Sequence, residues 1–157
     1  PTKKKDLAAI SMTYGNIYVA QISMGANQNQ TLKAIKEAEA YPGPSIVIAY
    51  SPCIAHGIKE GMGKSQTEEK LATESGYWPI FRFDPRLADQ GKNPLQIDCK
   101  DPDWDKYEDY LKRERRYTIL SGEFPERAVE LFALNKKNAQ DRWTYYKRLS
   151  SLDYSQN

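Results

Sequence analysis

An apolar run that stops abruptly in front of a cysteine is the feature that most constrains this chain. Residues 46–49 are rich in β-branched side chains, which is typical of a strand buried on both faces. Ser51-Pro52 ends that strand, because proline lacks the N–H group that a central strand needs. Cys53 follows at once, and His56, the only histidine, lies three residues further on. Ligands of open α/β sheets bind beyond the carboxyl ends of the strands, so the sequence places a thiol where such folds perform chemistry.

A strand–helix–strand unit surrounds this run. Residues 17–22 have the composition of a first strand, and residues 45–50 form the second. Between them, Asn27 is a good N-cap for a helix over residues 28–41, and the Pro-Gly-Pro sequence at 42–44 ends it. A crossover of this kind is right-handed and makes its two strands parallel.

Apolar spacing predicts which helix faces enter the core. In the helix over residues 28–41, Leu32, Ile35 and Ala38 recur at helical spacing, so we expect them to pack inward. A short helix over residues 6–14, capped by Asp6, has its apolar residues on one side. Those residues are Leu7, Ala9 and Ile10.

Further helices and strands follow along the chain. The pattern predicts a helix over residues 65–75, a strand over 78–83 and a short edge strand over 94–98. It also predicts a helix over 104–111 and a long helix from Pro125 to about residue 149. The apolar face of the long helix consists of Ala128, Leu131, Phe132, Ala139, Trp143, Tyr146 and Leu149.

These elements predict an α/β fold with a mostly parallel sheet, flanking helices and a long C-terminal helix. With 157 residues, 39% of them hydrophobic, the chain is long enough for one ordinary core. The composition changes near residue 84. Residues 1–84 are compact and alternate between strand-like and helix-like patterns, whereas residues 85–157 are more polar and aromatic. We expect the second region to be an extension that packs on the same domain.

Composition argues against several classes of function. No apolar run approaches the roughly 20 residues that a membrane span needs. The 23 basic and 21 acidic residues are nearly balanced, which gives no reason to invoke nucleic acid. The two cysteines are far apart and the N-terminus has no apolar signal segment, so we expect a reducing, cytoplasmic setting.

The cysteines are the first candidates for chemistry. The Cys53 thiol can bind iron or zinc, or attack an electrophile, if it ionises among the N–H groups of a strand-end loop. The alternative is a small side chain that simply packs. One cysteine cannot hold an iron–sulfur cluster, which normally takes four, so any cluster needs residues outside this chain. Cys99 lies among charged neighbours and is interpreted as an incidental surface or edge residue.

His56 has several interpretations. In a Cys-x-x-His arrangement with Cys53 it can ligate a metal or tune a neighbouring cluster. It can also form a Cys–His nucleophile pair, or be a loop histidine that bonds only to backbone.

Three further patterns are weaker. Residues 61–65 match the end of a phosphate-binding loop, but Ile58 stands where the first glycine is required, so nucleotide binding is not expected. The acidic residues around Trp104 are interpreted as a solvated face. The aromatic C-terminal helix is interpreted as a docking surface, either for this domain or for a partner.

Long stretches of the sequence resemble one enzyme family. The motifs lie between about residues 3 and 150, and they include Met12-Thr13-Tyr14-Gly15, Ser23-Met24-Gly25-Ala26-Asn27-Gln28, Tyr50-Ser51-Pro52-Cys53, Gly61-Met62-Gly63-Lys64 and Gly91-Lys92-Asn93-Pro94. They look like the pyruvate:ferredoxin (flavodoxin) oxidoreductases. Asn16 and Ala55 depart from the family pattern, where an aromatic residue and asparagine are common, and neither change alters Cys53.

The resemblance implies a function for the whole polypeptide. The family converts pyruvate and coenzyme A to acetyl-CoA and CO2 on thiamine diphosphate with Mg, and passes electrons through 4Fe-4S clusters to ferredoxin or flavodoxin. Residues 1–84 resemble the C-terminal half of its thiamine-diphosphate-binding domain. The cysteine of the Tyr-Ser-Pro-Cys motif is the fourth ligand of the family's proximal cluster, and here it is Cys53.

The same resemblance implies that this chain is incomplete as an enzyme. The other cluster ligands and the thiamine motif are expected upstream, so no catalytic or thiamine-binding residue is assigned here. We expect this chain alone to be inactive and to bind neither cofactor, with the rest of the polypeptide as its partner in a homodimer. Two other classes stay open from the residues: a non-catalytic α/β interaction module that uses the aromatic C-terminal helix, and a small hydrolase that uses Cys53 and His56.

Overall fold

The computed structural model describes residues 3–155, which form one four-stranded sheet and six α-helices. In chain order the elements are α1 (Leu7–Met12), β1 (Tyr18–Ile22), α2 (Gln28–Ala40), β2 (Ser45–Ala49), α3 (Ser65–Glu74), β3 (Phe81–Phe83), β4 (Leu95–Ile97), α4 (Tyr107–Arg113), α5 (Arg115–Glu123) and α6 (Pro125–Ser150). The α/β class and the long C-terminal helix are confirmed. Within the described range, none of the helices is both long and apolar enough to cross a membrane.

The sheet is mixed, with strand order β2-β1-β3-β4. β1 and β2 are parallel, as the strand–helix–strand unit predicts, and Val19 lies opposite Ile46. β3 is antiparallel to both β1 and β4, so the sheet is not mostly parallel as expected. The reason is the connection after α3: Trp78 Nε1 donates to the carbonyl of Ile22 at the end of β1, at 3.0 Å. The chain therefore re-enters the sheet where β1 ends and runs back along it.

β1 is one of the two internal strands of the sheet, and all five of its residues are buried. On one face, Tyr18, Ala20 and Ile22 pack with Ala34 of α2. On the other face lies a second cluster, to which α1, β3, β4 and α6 contribute: Ala8, Met12, Val19, Phe81, Leu95 and Tyr146. Residues on both sides of position 84 thus share one core, although the boundary itself stays a prediction.

β2 is an edge strand, which corrects the expectation that it is buried on both faces. Its residues alternate between exposed and half-buried, and the Val47 side chain is 37% exposed. Within residues 3–155, β1 is its one neighbour in the sheet. A β-branched run predicts a strand but does not say how many neighbours that strand has.

The predicted inward faces of α1 and α2 also need correction. Leu32 and Ile35 of α2 are 57% and 48% exposed, and Leu7 and Ile10 of α1 are exposed as well. Only Ala9 and Ala38 of the predicted faces are packed against the core clusters. The buried positions of α2 are instead Gln30, Thr31 and Ala34.

Other local predictions agree closely with the structure. The carboxylate of Asp6 accepts from the Ala9 N–H, and the Asn27 side chain accepts from the Gln30 N–H, both at 3.0 Å. The long helix was predicted within one residue of its observed end. α5 was not predicted: none of its side chains is fully buried, and Tyr117 is only partly buried against the core. So little burial leaves a weak apolar pattern in the sequence.

A buried guanidinium explains how α2 is oriented. Arg82 of β3 donates to Glu37 of α2 and to Asp98 after β4, each at 2.8 Å, and to Gln96 at 2.9 Å. At 100° per residue, Ile35 lies roughly 160° around the helix from Glu37, so the ion pair turns Ile35 outward.

We expect Arg82→Met to lower the free energy of unfolding by about 3 kcal/mol, because it leaves Glu37 and Asp98 partly buried without a counter-charge. Urea unfolding followed by circular dichroism measures this. Arg148→Met on the exposed side of α6 is the control, with an expected change within about 0.5 kcal/mol. Equal effects of the two substitutions would contradict the role assigned to Arg82.

Candidate metal-ligand loop

The parallel strands β1 and β2 end at the same edge of the sheet, and each is followed by a loop there. Tyr50, just after β2, donates its N–H to the Ile22 carbonyl at 3.0 Å and so extends the pairing by one residue. The loop after β1 packs tightly on α3, because Gly25 lies so close to the Gln66 backbone that a Cβ would not fit. Residues 51–57 form the second loop, which we call the Cys53 loop.

The Cys53 loop presents its thiol toward solvent. Pro52 is buried and anchors the loop, Cys53 is half-buried, and Ile54 is 85% exposed. The loop closes where the Gly57 N–H donates to the Cys53 carbonyl at 2.8 Å. Gly57 has φ +77°, a conformation that favours glycine. The sulfur is therefore accessible rather than sealed in the apolar core.

The thiol of Cys53 lies in a setting that favours its ionised form. Its Sγ is 3.2 Å from Nδ1 of His56, so the structure brings the two predicted residues together. Hydrogen bonds from the His56 backbone, the His56 ring and the Ala55 backbone, in that order, lower the pKa of Cys53 to about 7. About half of the thiol is then a thiolate at neutral pH, which is the form that binds metals or attacks electrophiles.

The Cys99 thiol lies in a setting that disfavours its ionised form. It follows β4, and its Sγ donates weakly to the Ile80 carbonyl at 3.6 Å. Burial raises the pKa of this thiol to about 11. Both cysteines are free thiols, and only Cys53 combines exposure with easy ionisation.

The donor set near Cys53 is incomplete as a metal site. Among residues 3–155, no three His, Cys, Asp or Glu side chains are grouped so that they could hold a metal ion. Cys53 offers one soft sulfur at an accessible edge, with His56 beside it. That arrangement fits a single corner of an iron–sulfur cluster, whose remaining ligands would have to approach from outside these residues.

The structure also locates the three weaker candidates of the sequence, which are residues 61–65, the acidic residues near Trp104 and the aromatic C-terminal helix. Residues 61–65 form the turn that enters α3. Near Trp104, Asp103 accepts from the Asp105 N–H and caps a short 3-10 turn, while Asp101 pairs with Lys147 of α6 at 3.1 Å. The aromatic C-terminal helix packs on this domain itself, since its Trp143 and Tyr146 are buried.

Sequence reasoning missed Glu114, which separates α4 from α5. Its carboxylate is buried and accepts from the hydroxyl of Tyr50 at 3.1 Å. The two residues are 64 positions apart, so no local spacing could connect them. The one signal in the sequence is a lone acidic residue within a basic run, Arg113-Glu114-Arg115-Arg116.

Comparison with known proteins gives relatives over nearly the whole chain. No family model matches. The pyruvate-flavodoxin oxidoreductase of Enterobacter agglomerans is 50% identical over 150 residues, which cover 96% of this chain and 13% of that protein. The pyruvate:ferredoxin oxidoreductase of Moorella thermoacetica is 50% identical over 149 residues, 95% of this chain and 12% of that protein. This chain is similar to one segment of the pyruvate oxidoreductases. The resemblance found in the sequence is confirmed.

A third relative is a longer protein. It is the protein from Euglena gracilis named pyruvate dehydrogenase [NADP(+)], mitochondrial, which is 45% identical over 148 residues. The chain spans only 8% of that protein, as against 12–13% of the two bacterial oxidoreductases. The shared segment is therefore a small part of every one of these enzymes.

We expect iodoacetamide to modify Cys53 about 40-fold faster than Cys99 at pH 7.5. The thiolate fraction favours Cys53 by more than three orders of magnitude, and the lower nucleophilicity of a less basic thiolate offsets about half of this on a logarithmic scale. Labelling followed by mass spectrometry measures both rates in the same sample.

The rate at Cys53 should rise with pH and reach half its plateau near pH 7, because the thiolate forms as the pH passes the pKa. His56→Ala removes the ring that stabilises the thiolate, so it should move the midpoint to higher pH. Equal labelling of the two cysteines would contradict the assigned environments.

Proposed function

We propose that this chain is part of a pyruvate:ferredoxin (flavodoxin) oxidoreductase, within its thiamine-diphosphate-binding domain. In this proposal Cys53 supplies one thiolate to a 4Fe-4S cluster, and the other three ligands come from elsewhere in the polypeptide. The observation that carries the proposal is the accessible thiol of lowered pKa in the loop after β2. The 50% identity to named pyruvate oxidoreductases supports the general activity.

The part of the mechanism that this chain supplies concerns the Cys53 sulfur. When bound, a 4Fe-4S cluster supplies one-electron transfer, and thiamine diphosphate with Mg supplies the electron sink for decarboxylation. Cys53 gives up its proton to become a ligand, which the lowered pKa makes easy at neutral pH. The backbone N–H groups that stabilise the thiolate would also hydrogen-bond to a ligating sulfur and raise the reduction potential.

Exposed apolar side chains support a larger parent polypeptide. Leu32 and Ile35 form an exposed apolar pair on α2, and Val47 is exposed on the edge strand β2. We propose that the remainder of the oxidoreductase covers these side chains, since patterns of this kind normally mark an interface.

The remaining partners are extensions of the same proposal. Pyruvate and coenzyme A are the substrates, and ferredoxin or flavodoxin is the electron acceptor, as the names of the two bacterial relatives indicate for those proteins. A homodimer of the complete polypeptide and a cytoplasmic location are further predictions. The Euglena relative is named mitochondrial.

Cys53→Ala in the complete oxidoreductase should remove one 4Fe-4S cluster per polypeptide, because a cluster normally needs all four thiolates. Iron analysis and EPR of the reduced enzyme measure this, and the thiamine diphosphate content should not change. Cys99→Ala is the matched control and should leave iron and EPR unchanged, since its thiol is held un-ionised by burial. Full iron content in the Cys53 variant would refute the ligand assignment.

The double substitution Leu32→Asp with Ile35→Asp should leave this chain alone nearly unchanged but destabilise the complete enzyme. In this chain alone we expect a change in unfolding free energy within about 0.5 kcal/mol, because both side chains face water. In the complete enzyme, the same pair should lower the melting temperature or the soluble yield, because it would bury two charges. Equal behaviour in both settings would argue against coverage by the rest of the polypeptide.

The contact between Cys53 and His56 favours one second candidate, a cysteine-dependent hydrolase. The Cys53→Ala experiment separates the two candidates. A hydrolase predicts unchanged iron and lost esterase or amidase activity, whereas the oxidoreductase predicts lost iron.

A further inference from the structure

Both ends of the Cys53 loop are held by the same three residues, Arg113, Glu114 and Arg115, which we call the clasp. At the first end, Tyr50 lies directly before the loop, and its hydroxyl donates to Glu114 Oε1 at 3.1 Å. This hydrogen bond is buried. The start of the loop is therefore tied to the clasp by a side chain.

At the second end, the clasp binds the backbone of the chain that leaves the loop. The Arg115 N–H donates to the Gly57 carbonyl at 3.2 Å, and the Lys59 N–H donates to the Arg113 carbonyl at 2.8 Å. Between these bonds, Ile58 and Glu114 pair as an isolated antiparallel bridge. Ile58 is buried, so this end has little freedom to move.

The helix is interrupted between α4 and α5 at Glu114, the residue that contacts Tyr50 and Ile58. Glu114 has φ −85° and ψ 116°, an extended conformation between two helical segments. A continuous helix would use the Glu114 and Arg115 N–H groups internally and could not offer Arg115 to Gly57. The interruption thus exposes a short extended backbone to the loop.

The clasp is itself held in place by charge pairs. Glu114 Oε2 accepts from Nε and from a terminal nitrogen of Arg116, at 3.0 and 2.9 Å. Arg113 donates to the buried carboxylate of Glu68 at 2.7 Å and to Glu60 at 2.9 Å. A buried carboxylate that is held from two sides resists displacement, because leaving it unpaired is costly.

The direction of the hydrogen bonds among Tyr110, Tyr50 and Glu114 follows from which of these groups carries a proton to donate. A carboxylate only accepts, so the single hydroxyl proton of Tyr50 points to Glu114, and the Tyr110 hydroxyl donates to Tyr50. Burial raises the pKa of Tyr50, so it stays a donor throughout the physiological range. Tyr50 therefore has one fixed orientation, with Cys53 three residues beyond it.

We propose that the clasp positions Cys53: Glu114 and Tyr50 hold the loop still, and so set where its sulfur stands relative to the cluster. They act through the loop and touch no substrate, so they are positioning residues. The consequence for the cluster rests on the proposed function, whereas the restraint on the loop does not.

The test uses the complete oxidoreductase with Glu114→Gln and, separately, Tyr50→Phe. Hydrogen–deuterium exchange in peptides covering residues 51–58 should be about 10-fold faster in Tyr50→Phe, because one hydrogen bond of about 1.4 kcal/mol is lost. It should also be faster in Glu114→Gln, whose amide oxygen still accepts from Tyr50 but lacks the charge that strengthens this bond and the pair with Arg116. Tyr117→Phe is the matched control: it removes a hydroxyl contact with Tyr77, at 2.8 Å, within the same aromatic cluster and should leave loop exchange unchanged.

A second measurement reports on the sulfur. In Glu114→Gln and Tyr50→Phe the reduction potential of the cluster, titrated by EPR, should shift, and in Tyr117→Phe it should not. Unchanged loop exchange in both Glu114→Gln and Tyr50→Phe overturns the proposal, and so does faster exchange with an unshifted potential.

The two proposals fail separately. If Cys53→Ala leaves the cluster intact, the ligand assignment fails, and the clasp is judged by loop exchange alone. If Glu114→Gln speeds exchange throughout the protein, global unfolding is the cause, and the milder Tyr50→Phe decides the outcome.

Discussion

The buried guanidinium of Arg82 is the constraint on which the arrangement of this chain depends. It lies on the α2 face of the sheet and cannot remain there unpaired, so Glu37 and Asp98 have to converge on it. That requirement sets the rotation of α2 and the pairing of Arg82 with Gln96 across β3 and β4. It also directs Leu32 and Ile35 away from the sheet. With the sheet so fixed, β1 and β2 end together at the edge where Cys53 stands.

The Cys53 loop depends on both halves of the sequence. Its strand and its turn come from residues before position 84, while the clasp at 113–115 comes from the polar region after it. This explains why the more polar and aromatic region after position 84 is closely integrated with the core. Its buried tyrosines, Tyr107 and Tyr110 among them, pack beside Tyr50 and carry hydroxyl groups into the same cluster. Hydrogen bonding as well as apolar packing thus supports the loop.

Two observations, one on the length of the relatives and one on the surface, agree with a segment of a larger protein. The relatives are about eight times longer than the shared region, since the chain covers 12–13% of the bacterial proteins. Over residues 3–155, apolar side chains at Leu7, Ile10, Leu32 and Ile35 remain exposed although they follow helical spacing. A sequence pattern selected for burial in a complete protein looks like a core face even when the partner surface lies elsewhere in the polypeptide. Within residues 3–155, the prediction that these four side chains face the core is wrong.

The sequence by itself determined the features that depend on neighbouring residues. These are the strand–helix–strand unit, the caps at Asp6 and Asn27, the long helix from Pro125, and the position of Cys53 and His56 just beyond a strand. Only the tertiary structure decided the antiparallel direction of β3, the edge position of β2, the outward face of α2 and the contacts of Glu114. Each of these depends on a contact between residues far apart in the chain, such as Trp78 with Ile22 or Tyr50 with Glu114. Local propensity and spacing depend on residues a few positions apart. A buried charge or hydroxyl group instead needs a hydrogen-bonding or ionic partner, and that partner can come from any part of the chain that the fold brings near.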